Sequence, residues 1–345
     1  MLKTEIIILA NNYVLPFQNL EKEYGLECIQ LNKLFATQSL AEHGLGFLIN
    51  IYDLDDLDNQ WNPRLIKKII FDVGGPNLTF IHNLDIRAYQ LNDVDNIILS
   101  HWHYDHTGGL YKVLERINKP IQVICHTDAR YERFFRRSPE VKKEDLQGKT
   151  RQEIASLLSS SKLVNQEPID MDRIKELNGK VFFSKFPYEI LDKEGLKIRV
   201  SGEIPRKHEI EDFTHYYSLQ DGTLKTDQIL DDKCLIFEYD NEVILLNGCC
   251  HSGLMNTLDY VKKLTDKPVS HIIGGFHMAS ASEEKIESTM SYLRTFQKFD
   301  KPLYLFPIHC SGDRIIQEIN RTRFPEMKAL NASVGTVFSF TTGFC

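Results

Sequence analysis

The sequence predicts an α/β (α+β) protein in which a strand-rich first stretch gives way to strands alternating with helices. Three observations point there: short β-branched apolar runs that stop at Gly or Pro, amphipathic segments between them, and an ordinary globular composition of 42% hydrophobic and 26% charged residues. With 41 Lys and Arg against 48 Asp and Glu, the net charge is −7. That balance offers no basic face for a phosphate backbone, so no nucleic-acid partner is expected. No apolar run approaches the roughly 20 residues that cross a bilayer, so neither a membrane span nor a secretory leader is expected. The seven cysteines are odd in number, widely spread and without a Cys-x-x-Cys pair. A reducing, cytoplasmic setting is the simpler expectation.

In chain order, Ile6 to Ala10, Phe47 to Tyr52 and Ile69 to Val73 read as strands, the last ending at the breaker Gly74-Gly75-Pro76. Val94 to Ser100 gives another short strand. Thr107-Gly108-Gly109 turns the chain into an amphipathic helix over Leu110 to Ile117, followed by a strand at Ile121 to Cys125. From about 128 to 166 the character turns charged and helical, with too few large apolar residues for a core of its own; this is expected to be a helical insertion. Strands resume at Val181 to Phe183, Leu196 to Val200, Cys234 to Tyr239, Val243 to Leu246, Ser270 to Ile273 and Leu303 to Phe306. Helices fit Gly253 to Leu264, Ser282 to Gln297 and Asp313 to Arg321.

The chemistry concentrates in Ser100-His101-Trp102-His103-Tyr104-Asp105-His106-Thr107-Gly108-Gly109. In an extended segment side chains alternate, so His101, His103 and Asp105 share one side and His106 follows at the turn. Three imidazoles and a carboxylate suit Zn²⁺, and also Mn²⁺ or Fe²⁺.

His101-x-His103-x-Asp105-His106 followed by Gly108-Gly109 resembles the signature of the metallo-β-lactamase-fold superfamily. The resemblance implies a four-layer αββα sandwich with a one- or two-metal site at one edge of the sheets, and Asp72 backing that site from the end of a preceding strand. Glu42-His43-Gly44-Leu45-Gly46, His82-Asn83, Gly202-Glu203-Ile204-Pro205-Arg206, Gly248-Cys249-Cys250-His251-Ser252-Gly253, Gly274-Gly275-Phe276-His277 and Pro307-Ile308-His309-Cys310-Ser311-Gly312 resemble a narrower branch. That branch comprises the dihydropterin-ribofuranosylaminobenzene-phosphate synthase-like, or dihydropteroate-synthase-like, proteins. The remaining ligands are expected from the second half: His251 and His309 each follow a strand, and His309 resembles the last histidine of the superfamily pattern. The expected arrangement holds one ion by His101, His103 and His251 and another by Asp105, His106 and His309. Gly248-Cys249 stands where the superfamily carries Gly-Asp with a bridging carboxylate, so Cys249 is either a thiolate ligand or a small buried residue, the latter being preferred. Since ligands from His101 to His309 must meet, residues 1–345 are expected to form a single domain.

Asp105 is expected to orient or deprotonate the attacking water, and His277 to stabilise a developing oxyanion or a substrate phosphate. His43, His82 and His126 are further pocket candidates, and His208, His215 and His271 read as bystanders. Arg130, Arg133, Arg136 and Arg137 at near-helical spacing offer a cationic lid, or else a solvated helix face. Arg206 is expected beside the site. The combined reading is a metal-dependent hydrolase acting on a small anionic, phosphoester-containing molecule. The alternatives are a transferase in pterin- or methanopterin-type cofactor synthesis and a non-catalytic iron-binding redox or ligand sensor. The sequence leaves the oligomeric state open.

Overall fold

The structure is a computed structural model that describes residues 1–15, 18, 20, 29–31, 38–136, 146–154, 163–296, 302–321, 324 and 326–343. Among these residues, the first sheet has the spatial order Ile29–Leu31, Thr336–Thr341, Leu2–Ala10, Gly46–Leu57, Pro63–Val73, Asn96–Ile98, Ile121–Cys125 and Gly179–Phe183. The second runs Tyr188–Lys193, Leu196–Val200, Cys234–Tyr239, Val243–Asn247, Val269–Gly274, Leu303–Pro307 and Met327–Ala329.

The two sheets face each other across a core that includes Phe47, Phe71, Phe237, Phe306 and Phe338. Burial of each such ring is worth about 1.5–3 kcal/mol. The outer faces are covered by helices. Helix Leu110–Ile117 lays Leu110, Val113, Leu114 and Ile117, a helical stripe, onto the first sheet and ends at Asn118 in the left-handed region. Helices Leu254–Leu264, Glu283–Leu293 and Asp313–Arg321 cover the second sheet through Leu258, Ile286 and Ile315, among others. Helix, sheet, sheet and helix thus form the expected αββα layers. Strand Val243–Asn247 is buried along its whole length, as a central strand covered on both faces must be.

The functional consequence lies in strand direction. Pro63–Val73, Asn96–Ile98 and Ile121–Cys125 are parallel in one sheet, and Val243–Asn247, Val269–Gly274 and Leu303–Pro307 in the other. Parallel strands release their following loops at one edge, so Asp72, the histidine-rich segment, Cys249 to His251, His277 and His309 all emerge at the ends of strands.

Two parts of the insertion expected to be helical at about 128–166 are strands instead, while its residues 137–145 and 155–162 lie outside the described residues. Glu132–Arg136 and Leu163–Gln166 are strands of a small third sheet, ordered Thr223–Thr226, Tyr216–Gln220, Glu132–Arg136 and Leu163–Gln166. Helical character among the described residues of that stretch is confined to short pieces such as 151–154. Phe134 joins Leu146, Ile154 and Tyr217 in a small apolar cluster, which supplies the reason for the strand. Helix Thr79–Ile86 and strand Thr336–Thr341 were not anticipated, although the latter alternates inward Thr336, Phe338 and Phe340 with outward neighbours.

Candidate metal centre

The histidine-rich segment leaves its strand at Ser100 and enters a short helix at Tyr104–Thr107. Asp105 therefore projects from a helical turn, not from the extended run that the alternation of side chains suggested, and His106 follows on that turn as expected. The turn is held from behind. The Asp72 carboxylate accepts the Ser100 amide and hydroxyl, each at 2.7 Å, and lies 2.7 Å from His106 Nδ1. With Nδ1–H directed at Asp72, His106 presents an Nε2 lone pair inward. Ser100 Oγ, its hydroxyl hydrogen directed at Asp72, accepts from His101 Nδ1 at 2.9 Å, so His101 too turns Nε2 inward. His309 Nδ1 donates to Asn12 Oδ1 at 3.1 Å while its Nε2 lies 3.2 Å from Asp105 Oδ2.

Backbone strain gathers in the same place. Asp72, Cys250, His277 and His309 all adopt positive φ, at 56°, 64°, 51° and 55°. Each costs on the order of 1–3 kcal/mol, and such strain clusters at functional sites. The Gly108-Gly109 pair serves packing: a Cβ at Gly109 would lie 2.4 Å from the Val73 carbonyl oxygen, so the turn can seat against the strand only without side chains.

The donor atoms converge. Those of Asp105, His106, His309 and Cys249 lie within 4.8 Å of one another, and so do those of His101, His251 and Cys249. His103 joins through its Nδ1, 3.0 Å from His101 Nε2. Both ring nitrogens of buried His251 lack a hydrogen-bond partner. A buried imidazole with two orphaned nitrogens is costly unless a cation or another group satisfies it. Burial and neighbouring histidines hold His101 and His251 well below the usual imidazole range, and burial together with Arg133 pushes His103 down to about 3. Burial works against ionised Asp105, yet His106 and His309 hold its carboxyl well below the usual range. Burial also works against charged His106, but Asp72 and Asp105 hold it up to about 9, so an incoming cation displaces a proton there. Neutral imidazoles, a carboxylate and a thiol fit a divalent transition-metal ion.

Above these groups lies a cavity of about 290 Å³ whose walls include Tyr104, Phe135, Tyr216, His43 and His277. Tyr216 stacks on His103 with ring centroids 5.7 Å apart and lies 5.1 Å from Phe135. Its hydroxyl, which burial and the neighbouring thiols and carboxylates push well above the usual phenol range and so keep protonated, is 3.4 Å from His277 Nε2. On its other side His277 Nδ1 is 3.5 Å from Glu211, which Lys285 grips at 2.6 Å. Tyr216, Glu211 and Asn12 carry no motif that would have flagged them and meet the site only through the fold.

Several expectations need revision. Arg133 is no lid: it is buried, paired with Asp227 at 3.2 Å and Asp231 at 2.9 Å. Arg130 stacks over Phe183 at 4.1 Å, and the Arg136 side chain and Arg137 lie outside the described residues. Arg206 does not line the cavity; it donates to the Ile229 carbonyl at 2.8 Å and supports the loop from behind. His43 does reach the cavity, 3.4 Å from Asp105. His82 bonds the Gln38 carbonyl, and His126 pairs with Glu203 at 2.8 Å, both away from the cavity wall. Cys249 is buried as expected, but among ligand groups and not in an apolar core: its Sγ is 3.0 Å from His106 Nε2.

Residues 66–199 match the Metallo-beta-lactamase superfamily. An uncharacterized protein of Methanocaldococcus jannaschii is 29% identical over 286 residues, covering 81% of this chain and 88% of the relative. A second protein of that organism, a 7,8-dihydropterin-6-methyl-4-(beta-D-ribofuranosyl)-aminobenzene-5'-phosphate synthase, is 27% identical over 74% of this chain and 77% of its own length. Among solved structures, a metal-dependent hydrolase of the beta-lactamase superfamily superposes with a TM-score of 0.65 at 16% identity, covering 98% of this chain and 99% of that one. Among the described residues no helix is long and apolar enough to cross a membrane.

Proposed function

We propose that this chain, whose residues 66–199 match the metallo-β-lactamase superfamily, is a metal-dependent hydrolase of a small anionic, phosphoester-containing substrate. The observation that carries the proposal is the convergence of His101, His103, Asp105, His106, His251, His309 and Cys249 at the base of one cavity, with the nitrogens of His251 left orphaned by the protein. His101, His103 and His251 would hold one divalent ion, zinc or alternatively manganese or iron, and Asp105, His106 and His309 a second. Such ions supply a water acidified toward neutrality and positive charge for the developing anion.

The protein's own groups do the rest. Asp105, kept ionised, accepts a hydrogen bond from the attacking water and fixes its approach. Tyr216, kept protonated, donates toward the oxyanion, and His277 stands beside it with Glu211 fixing its ring. Because Arg133 is consumed by two aspartates, attraction for the anionic group falls to the ions. Phe135 and Tyr216 offer faces to a planar ring.

Those aromatic walls, with the 27% identity to a synthase whose product name contains a pterin and a 5'-phosphate, favour a second reading as a transferase in pterin-type cofactor synthesis. One experiment separates the readings: zinc-loaded protein is given an aryl phosphodiester, then a reduced pterin with a phosphoribosyl donor, and products are analysed. Hydrolysis should dominate, and His103→Ala should reduce it by more than the roughly 100-fold typical of losing a supporting partner alone. Full activity in that variant sinks the assigned site, and pterin coupling without hydrolysis replaces the first reading by the second. Elemental analysis of protein purified without added metal checks the sensor alternative, for which stoichiometric iron without turnover is the signature.

A further inference from the structure

We infer that Cys249 is a thiolate ligand shared by both halves of the metal centre, an inference that rests on the metal-binding reading proposed above. Two sets of donor atoms lie within 4.8 Å of one another, Asp105, His106, His309 and Cys249 in one and His101, His251 and Cys249 in the other. Cys249 is the member common to both. Its Sγ lies 3.0 Å from His106 Nε2, the nitrogen that Asp72 turns inward.

The neighbouring cysteines show that this placement is specific. Cys250, next in the chain, turns its Sγ toward the Thr257 hydroxyl at 3.5 Å and packs in the apolar cluster beneath the outer helices. Cys310 Sγ addresses the Cys249 carbonyl at 3.4 Å and belongs to neither set. A cysteine kept only as a small apolar filler packs as Cys250 does, whereas the Cys249 thiol is directed at the imidazoles. On binding, the S–H bond breaks, the proton leaves to solvent and the sulfur lone pair forms the bond to the ion, with no change of oxidation state. Sulfur among imidazoles selects zinc or ferrous iron over magnesium or manganese.

The test is X-ray absorption at the zinc edge on the zinc-loaded full chain, with zinc content measured on the same sample. The expected spectrum has a sulfur scatterer at about 2.3 Å, averaging about one sulfur per zinc with both ions bound. That scatterer should persist in Cys310→Ser and disappear in Cys249→Ser. If Cys249→Ser does not fold, the wild-type, Cys310→Ser, Cys28→Ser and Cys345→Ser spectra still decide, since of the other described cysteines Cys250 and Cys234 lie in the apolar cluster and Cys125 in the first sheet's outer core; loss of the scatterer in Cys28→Ser or Cys345→Ser overturns the assignment. An average of about half a sulfur per zinc, or a single bound ion, overturns the sharing; bound zinc with only nitrogen and oxygen neighbours overturns the ligand. Loss of the scatterer in Cys310→Ser assigns the sulfur elsewhere and overturns it too. A chain that takes up no zinc overturns the metal reading itself, which separates the two failures.

Discussion

At the scale of single residues, the site is ordered by proton placement. Asp72 has no access to the cavity, yet it decides which nitrogen of His106 is free, and through Ser100 it decides the same for His101. Asp72→Asn keeps the size of the side chain but replaces one acceptor oxygen with a donor. The amide then opposes a proton on His106 Nδ1 and drives it to Nε2, where the ion should bind. Zinc affinity is expected to fall by about 10–100-fold, read by competition with a chromophoric chelator, while the far-UV spectrum stays native. Unchanged affinity would show that the Asp72 contact does not set the tautomer. These local roles were partly legible, because four candidate ligands sit within six residues and a strand end precedes each of the others. The inward choice of nitrogen was not legible: it depends on Asn12 for His309 and on Ser100 for His101, partners that contact reveals and spacing does not.

At the scale of elements, strand Glu132–Arg136 carries a lesson about reading charge. Its Arg, Glu and Phe residues at near-helical spacing imitate a helix, and the alternation that marks a strand is hidden because Glu132, Arg133 and Phe134 are all buried. Arg133 is satisfied by Asp227 and Asp231, and Asp231 also accepts the Trp102 amide at 2.7 Å, between His101 and His103. The small sheet is thereby joined to the metal-binding segment by a buried ionic contact, and the same strand places Phe135 against Tyr216. Replacing the arginine leaves two carboxylates without their cation. Arg133→Leu is expected to cost about 3–5 kcal/mol in urea unfolding, the usual penalty for a broken buried pair. A loss below about 1 kcal/mol would mean that the pair behaves as an exposed one and ties nothing together.

At the scale of the whole molecule, the layered core sets how stability responds to pH, and His271 makes this testable without involving the metal ligands. The residue lies on strand Val269–Gly274, with its ring 5.2 Å from Tyr304 and 5.0 Å from Phe340, a residue of the opposite sheet. Read from the sequence it is a bystander to the chemistry, and it plays its part in packing. Burial pushes its imidazole down to about 3. The unfolded chain takes up a proton near the ordinary value of about 6.5, whereas the native state refuses it until far lower pH. The unfolded state therefore binds more protons between those values, and stability is full above about pH 6.5 and is lost as pH falls through the window toward 3. By pH 5 this one group should cost about 2 kcal/mol. Titrating histidines at the metal centre add their own dependence, so the quantity to measure is a difference: unfolding free energies of wild type and His271→Leu at pH 7 and pH 5, at the same zinc concentration. The centre's contribution cancels between the two proteins, and the variant should gain on the wild type by about 2 kcal/mol over that interval. Parallel pH profiles would show that the ring is protonated in the folded protein, and that the interface between the sheets admits a charge at His271.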